Sequence, residues 1–242
     1  DREEAQQLMM LTELRTKIGI RSCAKIVIKQ GADTTFLTRL DGQYVIALEN
    51  GFSEEEQRQV LEFALSDEGV LICDGAVRTG KTTMMAAAFL IWAMENYDRT
   101  GFGLCAKTVR SAQRNLVRPL EELEDLPYTL EYKASAQCLT VRCGERENYF
   151  YLFGGRDESS YALIQGMTLA GVFLDEVVLM PRSFVEQACA RCSVEGSRLW
   201  FSCNPEGPQH WFYQEWILQA EKRNCLHLQF TMQDNPSLSK TV

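Results

Sequence analysis

Residues 75–82 read GAVRTGKT, a complete G-x-x-x-x-G-K-[ST] sequence. The apolar run Gly69–Cys73 precedes it and a long apolar, helix-like stretch follows from Lys81 to Tyr97, so the motif occupies a strand-to-helix turn. In such a turn the glycines let backbone N–H groups point at phosphate oxygens, and the helix N-terminus adds positive potential. The stretch therefore predicts a nucleotide site in an α/β fold.

Individual positions of this loop suit particular tasks. Lys81 places an ammonium group near the β- and γ-phosphates, and the Thr82 hydroxyl is a ligand for Mg²⁺. Arg78 can contact the γ-phosphate, and a solvated loop arginine is the alternative interpretation. We therefore expect ATP and Mg²⁺ to bind here, the nucleotide being held by Gly75, Ala76, Val77, Arg78, Thr79, Gly80, Lys81, Thr82 and Thr83.

A second apolar run, 172–174, ends in two carboxylates, Asp175 and Glu176. Ligands of open parallel sheets gather at the carboxyl ends of the strands. We expect Asp175 to hold Mg²⁺ directly or through water, and Glu176 to orient and deprotonate the attacking water. An Asp-Glu pair alone is commonly solvated, but together with the phosphate loop it favours an ATPase with its own catalytic glutamate.

A third apolar run, 199–203, leads into Asn204 and a turn. Asn204 can donate to the γ-phosphate or hold the attacking water and so report the state of the nucleotide. The alternative interpretation is that Asn204 only starts the turn, because Asn-Pro is a common turn initiator.

The whole chain has the composition of a globular protein. Its 242 residues are 45% hydrophobic and carry a net charge of −8, which disfavours a protein that coats nucleic acid and leaves room for a local basic face. Apolar strands alternate with amphipathic helices, which predicts a mostly parallel central sheet sandwiched by helices, with a small antiparallel insertion. We expect helices at 3–18, 81–97, from 106 through 123, 182–192 and 209–222, and strands at 69–73, 102–106, 128–132, 138–141, 149–153, 170–174, 198–202 and 225–231.

Two segments are expected. Residues 1–50 suggest a helix followed by a hairpin around Asp41-Gly42, and residues 51–242 the ATPase domain, which begins with a capping box of Ser53 and Glu56. No apolar run reaches the roughly 18 residues of a membrane span, and no signal peptide is evident. Nine scattered cysteines fit a reduced cytoplasm.

A family resemblance follows from two blocks. GAVRTGKT and the stretch from GGRDESS through FLDE to SCNPEGPQHWFYQEWI resemble the ATPase domain of bacteriophage terminase large subunits over residues 51–242. The resemblance implies an additional-strand P-loop ATPase of the catalytic-glutamate type and a coupling role for the SCN segment with Asn204. It also implies an arginine that completes the site, from the same or a neighbouring subunit. Arg78 matches the family's loop arginine, and Arg156 lies in the matching segment before the acidic strand.

The same resemblance implies partners and a location. The partners are double-stranded DNA, the portal protein and the small terminase subunit. The resemblance also implies a homo-oligomer on the prohead and a monomer in isolation. It implies no membrane association and a location in the cytoplasm of the bacterial host. The family continues into a nuclease domain, and the present sequence stops where the linker to it is expected, so no nuclease activity is expected. Residues 1–50 match nothing in the family.

Other features leave alternatives open. Arg110, Arg114 and Arg118 recur every four residues after Lys107 and can face DNA phosphates or a neighbouring subunit's nucleotide, or form a solvated face paired with Glu121 and Glu122. The competing functions are a helicase-like or repair DNA-dependent ATPase and a nucleotide-binding assembly domain without turnover. The aromatic residues Trp200, Trp211, Phe212, Tyr213 and Trp216 are expected in the core and at interfaces.

Overall fold

The computed structural model describes residues 68–75, 81–122, 128–204 and 206–230, together with 59–60 and 63–64 and the backbone of three strands between 25 and 49. The predicted helix 3–18, the Ser53–Glu56 capping box and loop residues 76–80 lie outside the described residues. The three early strands form an antiparallel sheet in the order β1-β2-β3. They are β1 Lys25–Gln30, β2 Asp33–Leu40 and β3 Gln43–Glu49.

The central sheet has the order β11-β4-β10-β9-β5-β8-β7-β6, eight strands in the described part of the chain. All pairings from β11 to β8 are parallel, whereas β6, β7 and β8 form an antiparallel meander. The strands are β4 Val70–Gly75, β5 Gly101–Ala106, β6 Thr129–Lys133, β7 Cys138–Cys143, β8 Arg146–Gly154, β9 Gly171–Leu174, β10 Arg198–Cys203 and β11 Cys225–Phe230.

This order confirms the predicted mostly parallel sheet with a small antiparallel insertion. Strand β10 inserts between β4, which leads into the phosphate loop, and β9, which leads into the acidic pair. The additional strand thus separates the two motif-bearing strands, and all three end at one edge of the sheet.

Alternating side chains of the strands pack on two faces, as the two-residue period of a strand requires. Leu71 and Phe173 join one buried cluster, while Ile72 and Val172 join the other. Every one of these positions is solvent-inaccessible, because helices cover both faces.

The first face is covered by helix α1, Lys81–Asn96, whose residues 84–94 are all buried. Phe89 lies at the centre, with ring centroids 5.5 Å from Trp200 and 5.9 Å from Phe102. Gly171 leaves room for this packing, since a Cβ there would lie 2.8 Å from the Trp92 ring. The helix that follows the phosphate loop is therefore fixed rigidly against the sheet.

The helix after β5 differs from a simple α-helix. Helix α2, Val109–Ala112, is followed by a π-helical turn, Gln113–Val117, and by α3, Arg118–Glu121. Thr108 caps its start by accepting a hydrogen bond from the Ser111 N–H at 3.0 Å. The predicted helix exists, with one wider turn in its middle.

The predicted helix 209–222 is wrong in its length. The second face carries helix α4, Arg182–Arg191, and then a short π-helical turn, Tyr213–Ile217. Turns lead from there to Asn224, whose φ of 53° reverses the chain into β11. Phe212 and Trp216 stack at 6.0 Å and pack against Phe201, so aromatic packing rather than a long amphipathic face fixes this segment. Among the described helices, none has the length and apolar character needed to cross a bilayer.

Candidate functional site

The carboxyl ends of β4, β9 and β10 meet at one edge of the sheet. Gly75 closes β4, Asp175 and Glu176 follow β9, and Asn204 follows β10. Helix α1 begins at the same edge with Lys81, Thr82 and Thr83. The sequence motifs, which are far apart along the chain, therefore converge.

A direct hydrogen bond joins the two predicted motifs. Thr82 Oγ1 donates to Asp175 Oδ1 at 3.0 Å. Both groups are hard oxygen donors, the type that Mg²⁺ prefers, and Mg²⁺ sites in phosphate-binding proteins commonly combine one carboxylate with substrate phosphates. In the described part of the chain, no group of three or more His, Cys, Asp or Glu side chains can hold a metal. The donor set fits a cation that shares its ligands with a phosphate chain.

Lys81 lies inside this edge with 6% of its surface exposed. Its Nζ donates to the Gly75 carbonyl oxygen at 3.0 Å, which ties both ends of the phosphate loop together. Burial lowers the pKa of Lys81, and the nearby Asp175 and Glu176 carboxylates act in the opposite direction. A buried ammonium beside the loop is placed to neutralise phosphate charge.

Gly75 cannot be replaced by a larger residue without movement. Its φ is +138°, and a Cβ built there would lie 1.9 Å from the Phe230 carbonyl oxygen of β11. The close approach of the neighbouring strand thus requires a glycine at the first position of the motif.

Asp175 is held by several groups at once, with only 2% of its surface exposed. Besides Thr82, Ser202 Oγ donates to Oδ1 at 2.8 Å and Asn115 Nδ2 donates to Oδ2 at 2.9 Å. Its own N–H donates to the Cys105 carbonyl oxygen at 2.8 Å. The carboxylate orientation is therefore set by side chains from three different elements, and strand β5 holds the backbone.

Glu176 has an unusual backbone. Its φ and ψ are 52° and 54°, the left-handed region that costs a non-glycine residue about 1 kcal/mol or more. Its N–H donates to Ser202 Oγ at 3.1 Å, which helps to hold that conformation. Such backbone strain is concentrated at functional sites, and here it fixes the direction in which the chain leaves β9.

Ser202 and Asn115, which both contact Asp175, were not predicted from the sequence. Ser202 lies two positions before Asn204, so the SCN segment that the sequence analysis singled out does contain it. Asn115 lies in the middle of a helix, and no local pattern marks it. Its hydrogen bond to Asp175 follows from the fold alone.

Of the remaining predicted site residues, two are exposed at strand ends and the others lie outside the described residues. Asn204 is exposed directly after β10, and it is Ser202 that contacts Asp175. Arg156 is exposed just beyond the carboxyl end of β8. Arg78, Ala76, Val77, Thr79 and Gly80 lie outside the described residues.

The three predicted arginines do share one face. Arg110, Arg114 and Arg118 are exposed and, with Gln113, line a cavity of about 330 Å³. Glu121 and Glu122 were one predicted set of partners, but no ion pair among the described residues joins them to these arginines.

Trp200 and Phe212 are fully buried, and Trp211, Tyr213 and Trp216 pack against the second core cluster, which confirms the predicted core position.

Comparison with known proteins places these motifs in a family. The family described as "Terminase large subunit, T4likevirus-type, N-terminal" matches residues 72–241. No curated protein matches the chain. The large terminase of a thermophilic bacteriophage matches with 47% identity and a TM-score of 0.73, over 80% of this chain and 49% of the other.

Further structures of that terminase hold nucleotides. Its complex with ADP matches with 46% identity and a TM-score of 0.74, over 79% of this chain and 48% of the other. The ATPase domain of the Thermus phage P74-26 large terminase shares the fold at 17% identity, with a TM-score of 0.53, over 74% of this chain and 85% of the other. The chain thus spans about half the length of the full-length terminases it matches.

Proposed function

The chain belongs to the family of phage terminase large subunits, and on that premise we propose that it is an ATPase motor domain that drives double-stranded DNA into a prohead. The observation that carries the proposal is the 3.0 Å hydrogen bond from Thr82 to Asp175. It joins the end of the phosphate loop to the acidic strand, as ATP hydrolysis requires. The related terminase has structures with bound ADP and with bound ATP-γ-S, which supports nucleotide binding by this chain.

In this proposal each residue at the sheet edge has one task. The loop 75–83 surrounds the phosphates, and Lys81 neutralises charge on the β- and γ-phosphates. Thr82 and Asp175 would hold Mg²⁺, which stabilises the negative charge that develops on the transferred phosphate. Arg78, within the loop, would contact the γ-phosphate.

Hydrolysis needs a base and a sensor. Glu176 leaves β9 at the edge of the site and would orient and deprotonate the attacking water. Asn204, at the end of β10, would contact the γ-phosphate or that water. Since Ser202 contacts both Asp175 and the Glu176 backbone, a shift of Asn204 would be transmitted to the catalytic carboxylates through the same strand end.

The wider context is proposed from the family. The partners would be double-stranded DNA, the portal protein and the small terminase subunit, and several copies would assemble on the prohead in the cytoplasm of the bacterial host. Arg156, which is exposed beyond β8, would be the candidate for the arginine that completes the site of the same or a neighbouring copy.

The test of hydrolysis compares two glutamate variants. Glu176→Gln should keep ATP affinity within about twofold and lose at least about a hundredfold in phosphate release, because a general base contributes that much. Glu186→Gln is the matched control, since that carboxylate is exposed and pairs with Arg182 one turn away on helix α4. Phosphate release by Glu176→Gln at the rate of the control would overturn the role of Glu176.

The motor function needs a second assay. The full-length protein, with portal and proheads, should protect DNA from nuclease in the presence of ATP, and the Glu176→Gln form should not. ATP-independent protection would contradict the proposed motor.

A further inference from the structure

Asn115 connects the acidic strand to the surface of the molecule. Its Nδ2 donates to Asp175 Oδ2 at 2.9 Å, and its Oδ1 accepts a hydrogen bond from Arg114 Nε at 3.0 Å. Both ends of the amide are therefore engaged, one by a buried carboxylate and the other by an exposed guanidinium. A change at Arg114 has a direct route to Asp175.

The π-helical turn makes this connection possible. Arg114 and Asn115 are neighbours in the turn Gln113–Val117, and one is exposed while the other is partly buried. Leu116 and Val117, which follow at once, are fully buried and anchor the turn in the core. A π-helical turn widens the helix locally and is frequent at functional sites. The anchored turn holds the Asn115 amide against the strand end.

The exposed side of the same turn is strongly basic. Arg110, Arg114 and Arg118 line a cavity of about 330 Å³ together with the uncharged Gln113. In a chain of net charge −8, three arginines without an ion-pair partner among the described carboxylates concentrate positive potential at one place. Guanidinium groups pair with phosphate oxygens through two parallel hydrogen bonds, so the cavity suits a phosphodiester backbone.

We propose that Asn115 is a positioning residue for Asp175, and that Arg114 makes this positioning responsive to a DNA phosphate bound in the arginine cavity. The proposal rests on the proposed function, since it takes Asp175 as the Mg²⁺-holding carboxylate and DNA as the partner. Its new content is a physical link between the two sites.

The expected direction follows from the geometry of the guanidinium group. The group has five N–H donors, and the bond to Asn115 uses Nε. A phosphate can pair with the two Nη groups and leave the Nε bond intact. It then restricts the rotation of an exposed side chain, so Arg114 holds Asn115 more firmly and Asp175 keeps its orientation for a larger fraction of time. DNA should lower the Mg²⁺ concentration that nucleotide binding requires.

The first experiment tests Asn115. The 242-residue chain is mixed with a fluorescent ATP analogue, and anisotropy is followed while Mg²⁺ is titrated. Asn115→Leu keeps the side-chain shape and removes both hydrogen bonds, so the Mg²⁺ concentration for half-maximal binding should rise by about tenfold, as for other residues behind metal ligands. Binding of the analogue without Mg²⁺ should remain as in the wild type, which a purely structural defect would not allow.

Gln113→Met is the matched control, because it removes an amide from the same turn and leaves the contact with Asp175 in place. Asn115→Ser serves as a second variant whose side chain is too short to reach Asp175, and it should shift the Mg²⁺ requirement in the same direction. Half-maximal binding within twofold of the wild type in both Asn115 variants would overturn the positioning role. Absence of Mg²⁺-dependent binding in the wild type would instead refute the proposed function, and this inference with it.

The second experiment tests the link to DNA. A 40-base-pair duplex at saturating concentration should lower the Mg²⁺ requirement of the wild type by about fivefold, the lower end of usual coupling between sites. Arg110→Gln should weaken DNA binding and keep the shift once DNA saturates. Arg114→Gln should lose the shift even at saturation. Equal shifts in the two variants, or a shift produced by inorganic tripolyphosphate and not by DNA, would overturn the proposal.

Discussion

The Ser202 hydroxyl donates a hydrogen bond to Asp175 Oδ1 at 2.8 Å, and its oxygen, Oγ, accepts a hydrogen bond from the backbone N–H of Glu176 at 3.1 Å. One side chain of β10 therefore holds the carboxylate of Asp175 and the backbone of Glu176 at the neighbouring strand end. The bond to Asp175 orients its carboxylate toward Thr82, and the bond to Glu176 supports the left-handed backbone from which that side chain departs.

Ser202→Ala should lower phosphate release by about tenfold or more, because groups that orient metal ligands commonly contribute this much. It should also lower the free energy of unfolding by about 1–3 kcal/mol, since a fully buried carboxylate oxygen and a backbone N–H each lose a partner. Steady-state phosphate release and denaturant unfolding measure the two effects.

Ser197→Ala is the control for this change. Ser197 donates to the Cys192 carbonyl oxygen at 3.0 Å, just before the opposite end of β10. Its loss should affect stability and leave phosphate release unchanged. Equal rates for the two serine variants would contradict the role given to Ser202.

Gly75→Ala should destabilise the fold by more than about 3 kcal/mol, because the backbone at +138° is open only to glycine and the new Cβ meets the Phe230 carbonyl. Gly144→Ala is matched, since Gly144 also has a positive φ of 60° but has open space around it. The free energy of unfolding of Gly144→Ala should fall by only about 1 kcal/mol. Urea unfolding of both variants tests the difference, and losses of equal size would show that the approach of β11 does not matter.

Lys81→Ala should weaken ATP binding by about tenfold or more, because a hydrogen bond to a charged group contributes about 1.5–3 kcal/mol. Titration with a fluorescent nucleotide measures the affinity. Lys133→Ala removes an equal charge from an exposed position of β6 and should bind ATP as the wild type does. Unchanged affinity in Lys81→Ala would refute the loop as the nucleotide site.

Stability should fall in alkaline solution because of buried thiols. Burial raises the pKa of Cys203 from its ordinary value of 9.0 to about 12, with Asp74 acting in the same direction and Lys81 against it. The folded state thus keeps a proton that the unfolded chain loses, so this contribution is complete below about pH 9 and is lost as the pH rises toward 12. Each pH unit in that window removes up to about 1.4 kcal/mol for one thiol.

Urea unfolding at pH 8.0, 9.0, 10.0 and 10.5 tests this expectation. Cys203→Ala should show a shallower decline above pH 9 than the wild type, because the substitution removes one of the titrating groups. A decline that is identical in the two proteins would assign the alkaline instability to other groups.

The sequence predicted most elements of the α/β core because their signals are local. Strand β5 was expected at 102–106 and lies at Gly101–Ala106, and helix α1 was expected at 81–97 and lies at Lys81–Asn96. Continuous apolar runs mark strands that are buried on both faces, and the phosphate loop marks the turn between β4 and α1. The helix at 209–222 was overestimated because its aromatic residues gave an amphipathic pattern, while Phe212 and Trp216 were needed for packing on Phe201.

Residue type and spacing alone thus identified the candidate site residues: a phosphate loop with Lys81 and Thr82, and a strand that ends in Asp175 and Glu176. The tertiary structure decided which groups hold those residues. Asn115 and Ser202 reach Asp175 from 60 and 27 positions away along the chain. Neither residue type nor local periodicity encodes such contacts, because they arise only when the additional strand β10 and the π-helical turn are packed beside the end of β9.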